Sequence, residues 1–393
     1  MKVKGFLKDV GGASRVTKRR QNNFDQASAK PAPYDPIGAV AKALHPGFLD
    51  LKVEAIKVAS PTSKTIVFSA PHLPYFQAGQ FLSLRLKIGD SLVSRPYSIC
   101  SAPYETRGDH PIVSITVRLP KQDGFVAEYL YHQVQVGDVI QGEVGLGEFH
   151  YDPIRDAKHV VALAGGSGIT PFLSMAKEIA NGKLDFDLTI LFGSVDEKDI
   201  ILREELEACV CEKVHVVHVL SGNNPGWKGE KGFLSAELIA KYSAKDTTYF
   251  VCGPQVMYEF LAGELKKLNV PRRRIRFEVF GSPRDVTKLQ GYPVDMADKV
   301  FNLTVCQGRL ETVIQAKANE PIAVALERAG MKIHTACRSG ACGFCRVKVL
   351  SGNCYVPPNG DGRRAADIEF GYVHSCVTYP LSDVKIKVNI PND

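Results

Sequence analysis

No stretch of this sequence approaches the roughly 20 consecutive apolar residues that a membrane-spanning helix needs, which argues against a helical span. The N-terminus also lacks an apolar signal-peptide core, so a protein retained in the cytoplasm is expected. A disulfide scaffold is missing too. Six of the ten cysteines (Cys100, Cys209, Cys211, Cys252, Cys306, Cys354) are scattered through a long chain, which fits a reducing compartment. The body carries no excess of one charge: residues 1–47 hold nine Lys or Arg against Asp9, Asp25 and Asp35, which accounts for +6 of the formal +7. A near-neutral body without a basic stripe is not that of a dedicated nucleic-acid binder. No internal repeat is evident. At 393 residues, 45% apolar and 23% charged, the chain is an ordinary soluble protein of two or three domains.

Residues 1–47 are polar, basic and broken by Gly11, Gly12, Pro31, Pro33, Pro36 and Pro46. They read as an extension without regular structure beyond one helical turn near Ile37–Leu44. From 48 to 153 short apolar-alternating runs (51–58, 65–69, 81–86, 97–101, 112–118, 139–143) and one helix near 126–133 predict a closed antiparallel β-barrel. Over 154–281 the rhythm becomes strand, helix, strand, which predicts an α/β domain with a parallel sheet. Its strands are expected at 159–164, 187–192, 214–220 and 248–252, and its helices near 171–180, 202–211 and 255–268. A polar linker, 282–299, leads to a last domain over 300–393.

That last domain holds Cys337, Cys342 and Cys345 as C-x4-C-x2-C, followed by Cys376 after 30 intervening residues. Three thiolates on one tight loop and a fourth from a distant turn suit a [2Fe-2S] cluster of the plant-type ferredoxin pattern. The residues between them are mostly small, which lets main-chain N–H groups approach the sulfides. A structural zinc site would more commonly pair two short spacings.

Three further motifs carry chemistry. Arg95-Pro96-Tyr97-Ser98 combines a phosphate-holding guanidinium, an aromatic ring able to cover an isoalloxazine and a hydroxyl able to bond it, although each alone recurs by chance on surface strands. The run Gly165-Gly166-Ser167-Gly168 follows a buried strand, and Thr170-Pro171 opens a helix, as a pyrophosphate site requires. Pro171 stands where the dinucleotide fingerprint has its third glycine. Cys252-Gly253-Pro254 ends another buried strand at the sheet edge where ligands bind, and Glu278 could face the same crevice.

In this order the motifs resemble the ferredoxin-NADP reductase superfamily, in its class with a C-terminal plant-type ferredoxin domain, over about 51–393. That class includes the reductases of phenylacetyl-CoA, vanillate and carnitine oxygenases and of hybrid-cluster protein. The resemblance implies a multidomain oxidoreductase: a flavin barrel, a nucleotide domain and an α+β β-grasp ferredoxin domain. It implies flavin contacts from Arg95, Pro96, Tyr97, Ser98 and Val117, with pyrophosphate contacts from Gly124, Phe125, Val126 and Ala127. It implies nicotinamide nucleotide on Gly165, Gly166, Ser167, Gly168, Thr170, Pro171, Gly193, Ser194, Cys252, Gly253 and Pro254, with Thr170 near the flavin ring, and cluster ligation by the four cysteines. Ala127 replaces a serine that many relatives use on the FAD pyrophosphate; main-chain N–H groups remain, so FAD is expected, with FMN the alternative. Val195 beside Asp196 and Glu197 suits a ribose hydroxyl better than a 2′-phosphate, so NADH is expected, with NADPH the alternative.

Hydride donors give electrons in pairs, whereas such a cluster takes one, and a flavin can divide the pair. The expected roles are Ser98 bonding the flavin near N5, Cys252 packing on the nicotinamide and Glu278 polarising the site, with delivery to a redox partner protein. Reverse flow to NAD(P)+ and a cluster-carrying sensor or binding module are the competing readings. The basic extension is read as a partner-docking arm or a solvated tail, with lipid or nucleic-acid contact a further alternative.

Overall fold

The computed structural model describes residues 4–27, 35–44, 47–120, 124–283, 285–358 and 361–388. Lys2, Lys30, Pro31, Pro33 and Pro46 of the extension, Arg284 of the linker and 389–393 of the last domain lie outside the described residues. The chain divides into two units, 1–46 and 47–393.

In the first unit, helices α1 (Lys4–Asp25) and α2 (Pro36–Leu44) stand where mostly irregular chain is expected. That expectation leaned on Gly11 and Gly12, which cost about 1 kcal/mol each inside a helix. The Lys, Arg, Gln and Ala around them are good helix formers and offset that cost. Pro36 opens α2, and the Asp35 carboxylate accepts the Gly38 N–H at 2.9 Å, a helix cap.

The second unit begins with β1 (Phe48–Ser60), β2 (Ser63–Ser69), β3 (Phe81–Ile88), β4 (Ser91–Ser98), β5 (Ile112–Arg118), helix α3 (Phe125–His132) and β6 (Val139–Leu146). All pairs are antiparallel in the order β4-β3-β6-β1-β2-β5, and an Ile99–Ile115 bridge joins the outer strands and closes the barrel. Inward residues such as Val53, Phe68, Leu82, Leu84 and Ile115 form its core, to which α3 adds Val126 and Leu130. Arg95-Pro96-Tyr97-Ser98 ends β4, whereas the sequence places it at a strand start. Pro96 is tolerated there because β4 ladders with β3 alone and a missing donor costs least on an outer strand.

The nucleotide domain follows with β7 (His159–Gly165), α4 (Thr170–Ala180), β8 (Asp187–Ser194), α5 (Arg203–Glu207), β9 (Val214–Leu220), β10 (Glu230–Lys231), α6 (Ala236–Lys241), β11 (Thr247–Cys252), α7 (Gln255–Lys267) and β12 (Ile275–Glu278). Its sheet is parallel in the order β10-β9-β8-β7-β11-β12. The order reverses between β7 and β11, which puts both glycine turns at the switch point where such sheets bind ligands. Helix α5 is shorter than expected: Leu202 takes a left-handed φ of 57° before it, and Cys211 folds back onto Val214 after it.

The last domain comprises β13 (Val300–Gln307), β14 (Leu310–Lys317), α8 (Ile322–Arg328), β15 (Arg346–Ser351), β16 (Cys354–Tyr355), α9 (Ala365–Glu369), β17 (Tyr372–His374), β18 (Tyr379–Pro380) and β19 (Val384–Val388). A mixed sheet, β14-β13-β19-β15-β17, packs Leu303, Val305 and Ile386 against Ile322, Ala325 and Leu326 of α8, the expected β-grasp arrangement. The linker is anchored here, because Val286 and Tyr292 are buried with Tyr355 and Tyr379.

Candidate functional site

A cavity of about 420 Å³ lies where the three domains of the second unit meet. The barrel contributes Pro96, Tyr97, Ser98, Thr116 and Arg118, and the nucleotide domain contributes Ser167, Gly168, Thr170, Cys252 and Gly253. From the cluster domain come Ser339, two residues after Cys337, and Val377, next to Cys376. Eight sequence-predicted residues therefore share one cavity with the flanks of two predicted cluster ligands.

The glycine turns are built for close approach. A Cβ on Gly168 would sit 2.1 Å from the Cys252 carbonyl oxygen and 2.7 Å from the Gly253 nitrogen. Backbone cannot yield as a side chain can, so the β7 and β11 turns meet only because Gly168 has no side chain. Gly166 holds φ +53°, with Arg118 Nη1 2.6 Å from where its Cβ would stand. Thr170 braces the turn by donating to the Ser167 carbonyl at 2.9 Å, and Pro171 sits in the first turn of α4.

The remaining predicted residues stand apart from the cavity wall. Val117 and Val126 bury their side chains in the barrel core, and Ala127 packs against it, so only their main chain is available to a ligand. Gly124 caps α3, with Phe125 exposed beside it. Gly193 and Ser194 end β8, and the buried Ser194 hydroxyl lacks a partner among the described residues. Arg95 bonds Glu327 at 3.2 Å. Glu278 is buried, with Oε2 unpartnered among the described residues; burial, and then the nearby Cys337, push its pKa up to about 8. The same burial drives the Cys252 thiol well above its ordinary range, so it remains a neutral packing surface rather than a nucleophile. Burial also raises the Tyr97 phenol.

Sequence reasoning missed several residues. Arg118 reaches the Gly166 turn and is held by Asp199 at 2.5 Å, which also accepts from Ser60 and Thr62 and so clamps barrel to nucleotide domain. Tyr258 accepts the Gly253 N–H at 3.2 Å and donates to the Glu278 carbonyl. Phe280 meets Phe81 edge-on at 5.1 Å and packs with Cys337. Arg118 is the lone basic residue at the end of an uncharged strand and belongs to no motif, so it gave no signal of its own.

The predicted cluster sulfurs come as two pairs. Cys345 Sγ and Cys376 Sγ lie 3.2 Å apart, and Cys337 Sγ accepts the N–H groups of Ser339 and of its loop neighbour Cys342 at 3.4 Å. Among the described residues no trio of His, Cys, Asp or Glu converges on a single metal position. Two thiolates per iron is the donor set of a [2Fe-2S] core, and the chain fits that group.

Comparison with known proteins agrees with this geometry. Residues 50–151 match the oxidoreductase FAD-binding domain, 162–262 the oxidoreductase NAD-binding domain, and 305–381 the 2Fe-2S iron-sulfur cluster binding domain. The chain is 30% identical over 361 residues to the glycine betaine monooxygenase reductase subunit of Chromohalobacter salexigens, covering 85% of this chain and 94% of that protein. It is 28% identical to the ferredoxin reductase component of 3-ketosteroid-9-alpha-monooxygenase from Mycobacterium tuberculosis, covering 85% and 94%. The structure of phthalate dioxygenase reductase superposes with a TM-score of 0.61 at 23% identity, covering 88% of this chain and 98% of that one. The chain belongs to the ferredoxin-NADP reductase superfamily, in the class that joins FAD-binding and NAD-binding domains to a C-terminal [2Fe-2S] ferredoxin domain.

Proposed function

We propose that this oxidoreductase is the reductase component of an oxygenase, drawing electrons from NADH and passing them through FAD and the [2Fe-2S] cluster to an oxygenase partner. The observation that supports the path is the single cavity walled by all three domains. The relatives named above serve oxygenases, which supports the partner class. Bound flavin would accept a hydride and release electrons singly.

The chain's own residues hold and orient. Arg95 would grip flavin phosphate, Tyr97 cover the ring and Ser98 donate to it, while the N–H groups of Gly124, Phe125, Val126 and Ala127 receive pyrophosphate oxygens. The Gly165–Gly168 turn, Pro171 and the α4 N-terminus would carry nucleotide pyrophosphate, and Gly193, Ser194 and Pro254 would lie along its path. Thr170 and the neutral Cys252 would position the nicotinamide. Burial, and then the nearby Cys337, shift Glu278 toward its neutral form and so lessen the negative charge beside the site. Cys337, Cys342, Cys345 and Cys376 would ligate the irons. Asp196 and Glu197 follow β8 where a 2′-phosphate would lie, and Arg203 is already paired with Glu197 at 3.2 Å, which favours NADH.

The test is affinity capture from native cells followed by NADH-driven reduction of each captured metalloprotein. An oxygenase reduced only when this chain is present is expected. Capture and reduction of a non-oxygenase acceptor alone would overturn the partner assignment, and a higher kcat/KM for NADPH would overturn the nucleotide assignment.

A further inference from the structure

Glu327 belongs to none of the motifs, yet it ties the flavin strand to the cluster loop. It sits in the last turn of α8 and is 2% exposed. Its Oε1 accepts from Arg338 Nη1 and from the Ser94 N–H at 3.1 Å, and its Oε2 accepts from Arg95 Nη1 at 3.2 Å. Arg338 immediately follows Cys337 and donates in addition to the Ser94 carbonyl at 3.3 Å. It is also one of three non-glycine residues with positive φ among the described residues, at +58°. A residue with a Cβ keeps that conformation where its surroundings hold it.

Two guanidinium groups against one carboxylate leave one unit of positive charge beside the flavin motif. Every hydrogen bond that Arg95 makes among the described residues leaves from Nη1, so Nε and Nη2 donate to none of them. A phosphate oxygen is the anion that this surplus fits. Other contacts also dock the domain, Ser83 to the Thr335 carbonyl at 3.3 Å and His334 to Glu143 at 3.1 Å, so Glu327 is not the sole support.

We propose that Glu327 is a positioning residue that couples flavin binding to docking of the cluster loop. One buried carboxylate serves both the flavin-facing Arg95 and the loop-holding Arg338. FAD on Arg95 then favours the docked loop, and by linkage the docked loop retains FAD. The proposal rests on the reading of Arg95 as a phosphate contact.

The test uses the holoprotein with Glu327→Gln, which keeps the shape and removes the charge. FAD release is read by recovery of flavin fluorescence on dilution. Hydride transfer from NADH and cluster reduction are read by rapid mixing, normalised to bound FAD and to iron. E327Q should release FAD about tenfold faster and slow flavin-to-cluster transfer about tenfold, roughly the scale of one lost charge-assisted hydrogen bond, with hydride transfer within about twofold of wild type. Glu327→Asp should restore part of both losses. Unchanged FAD release, or equal slowing of both electron steps, overturns the proposal. If E327Q fails to fold, Arg338→Lys, which does not touch the flavin strand's side chains, must still speed FAD release; wild-type release would refute the coupling. Unaltered FAD affinity in Arg95→Gln would remove the phosphate reading instead, while the E327Q transfer defect would persist.

Discussion

Replacing Asp156 by Ala should destabilise the nucleotide domain at its join with the barrel. Arg276 on β12 grips Asp156 through Nε and Nη2, each at 3.0 Å, and donates from Nη1 to the carbonyls of Glu148 and His150 just beyond β6, at 3.0 and 3.1 Å. The Asp156 side chain is fully buried and that of Arg276 is 7% exposed. Removing one partner of a buried pair costs roughly 3–5 kcal/mol, because a charge is left without compensation. The two carbonyls still accept from Arg276, so the lower end applies, about 3 kcal/mol. With a urea slope of roughly 2 kcal/mol per M, the midpoint should fall by about 1.5 M. Trp227 is the sole tryptophan and packs against the nucleotide-domain core, so its fluorescence reports that domain directly. Asp156→Ala combined with Arg276→Met should lose less than the sum of the single losses, since the uncompensated charge is gone. A midpoint shift in D156A under about 0.3 M, the scale of an ordinary surface substitution, would refute the argument.

Three further outcomes are expected. Ser98→Ala should slow flavin reduction by NADH roughly 5- to 30-fold, one hydrogen bond's worth, while dithionite still reduces the cluster normally; equal flavin rates would remove Ser98 from the site. Gly168→Ala drives a Cβ into the Cys252 carbonyl and should cost about 1–3 kcal/mol by Trp227 fluorescence and raise the KM for NADH; wild-type values of both would contradict the close approach of the two turns. Cys376→Ser should lose most iron and sulfide yet keep FAD, and metal analysis showing wild-type iron would remove Cys376 as a ligand.

Local chemistry was legible where residues close in sequence act together. The cysteine spacing, the glycine turn before Thr170-Pro171 and most strand positions could be read directly, and β5 and β9 span the predicted residues. What escaped depends on distant partners. Arg95 and Glu327 are separated by 232 positions, and Arg118 and Asp199 by 81, so no window of sequence joins them. The linker looked polar because Val286 and Tyr292 stand among charged residues, and only the tyrosines at 355 and 379 reveal what they bury against. Helix α1 was hidden by its glycine pair, which breaks a local pattern that the flanking propensities outweigh.

Flavin and cluster are expected to work across one shared cavity wall. Anaerobic rapid mixing with NADH, followed by optical and paramagnetic resonance readings on protein with its iron and sulfide assayed, tests it most directly. About two irons and two sulfides per chain are expected, with bleaching of the flavin followed by appearance of the reduced-cluster signal. A fully reduced flavin beside a cluster that stays oxidised, or zinc in place of iron and sulfide, would contradict it.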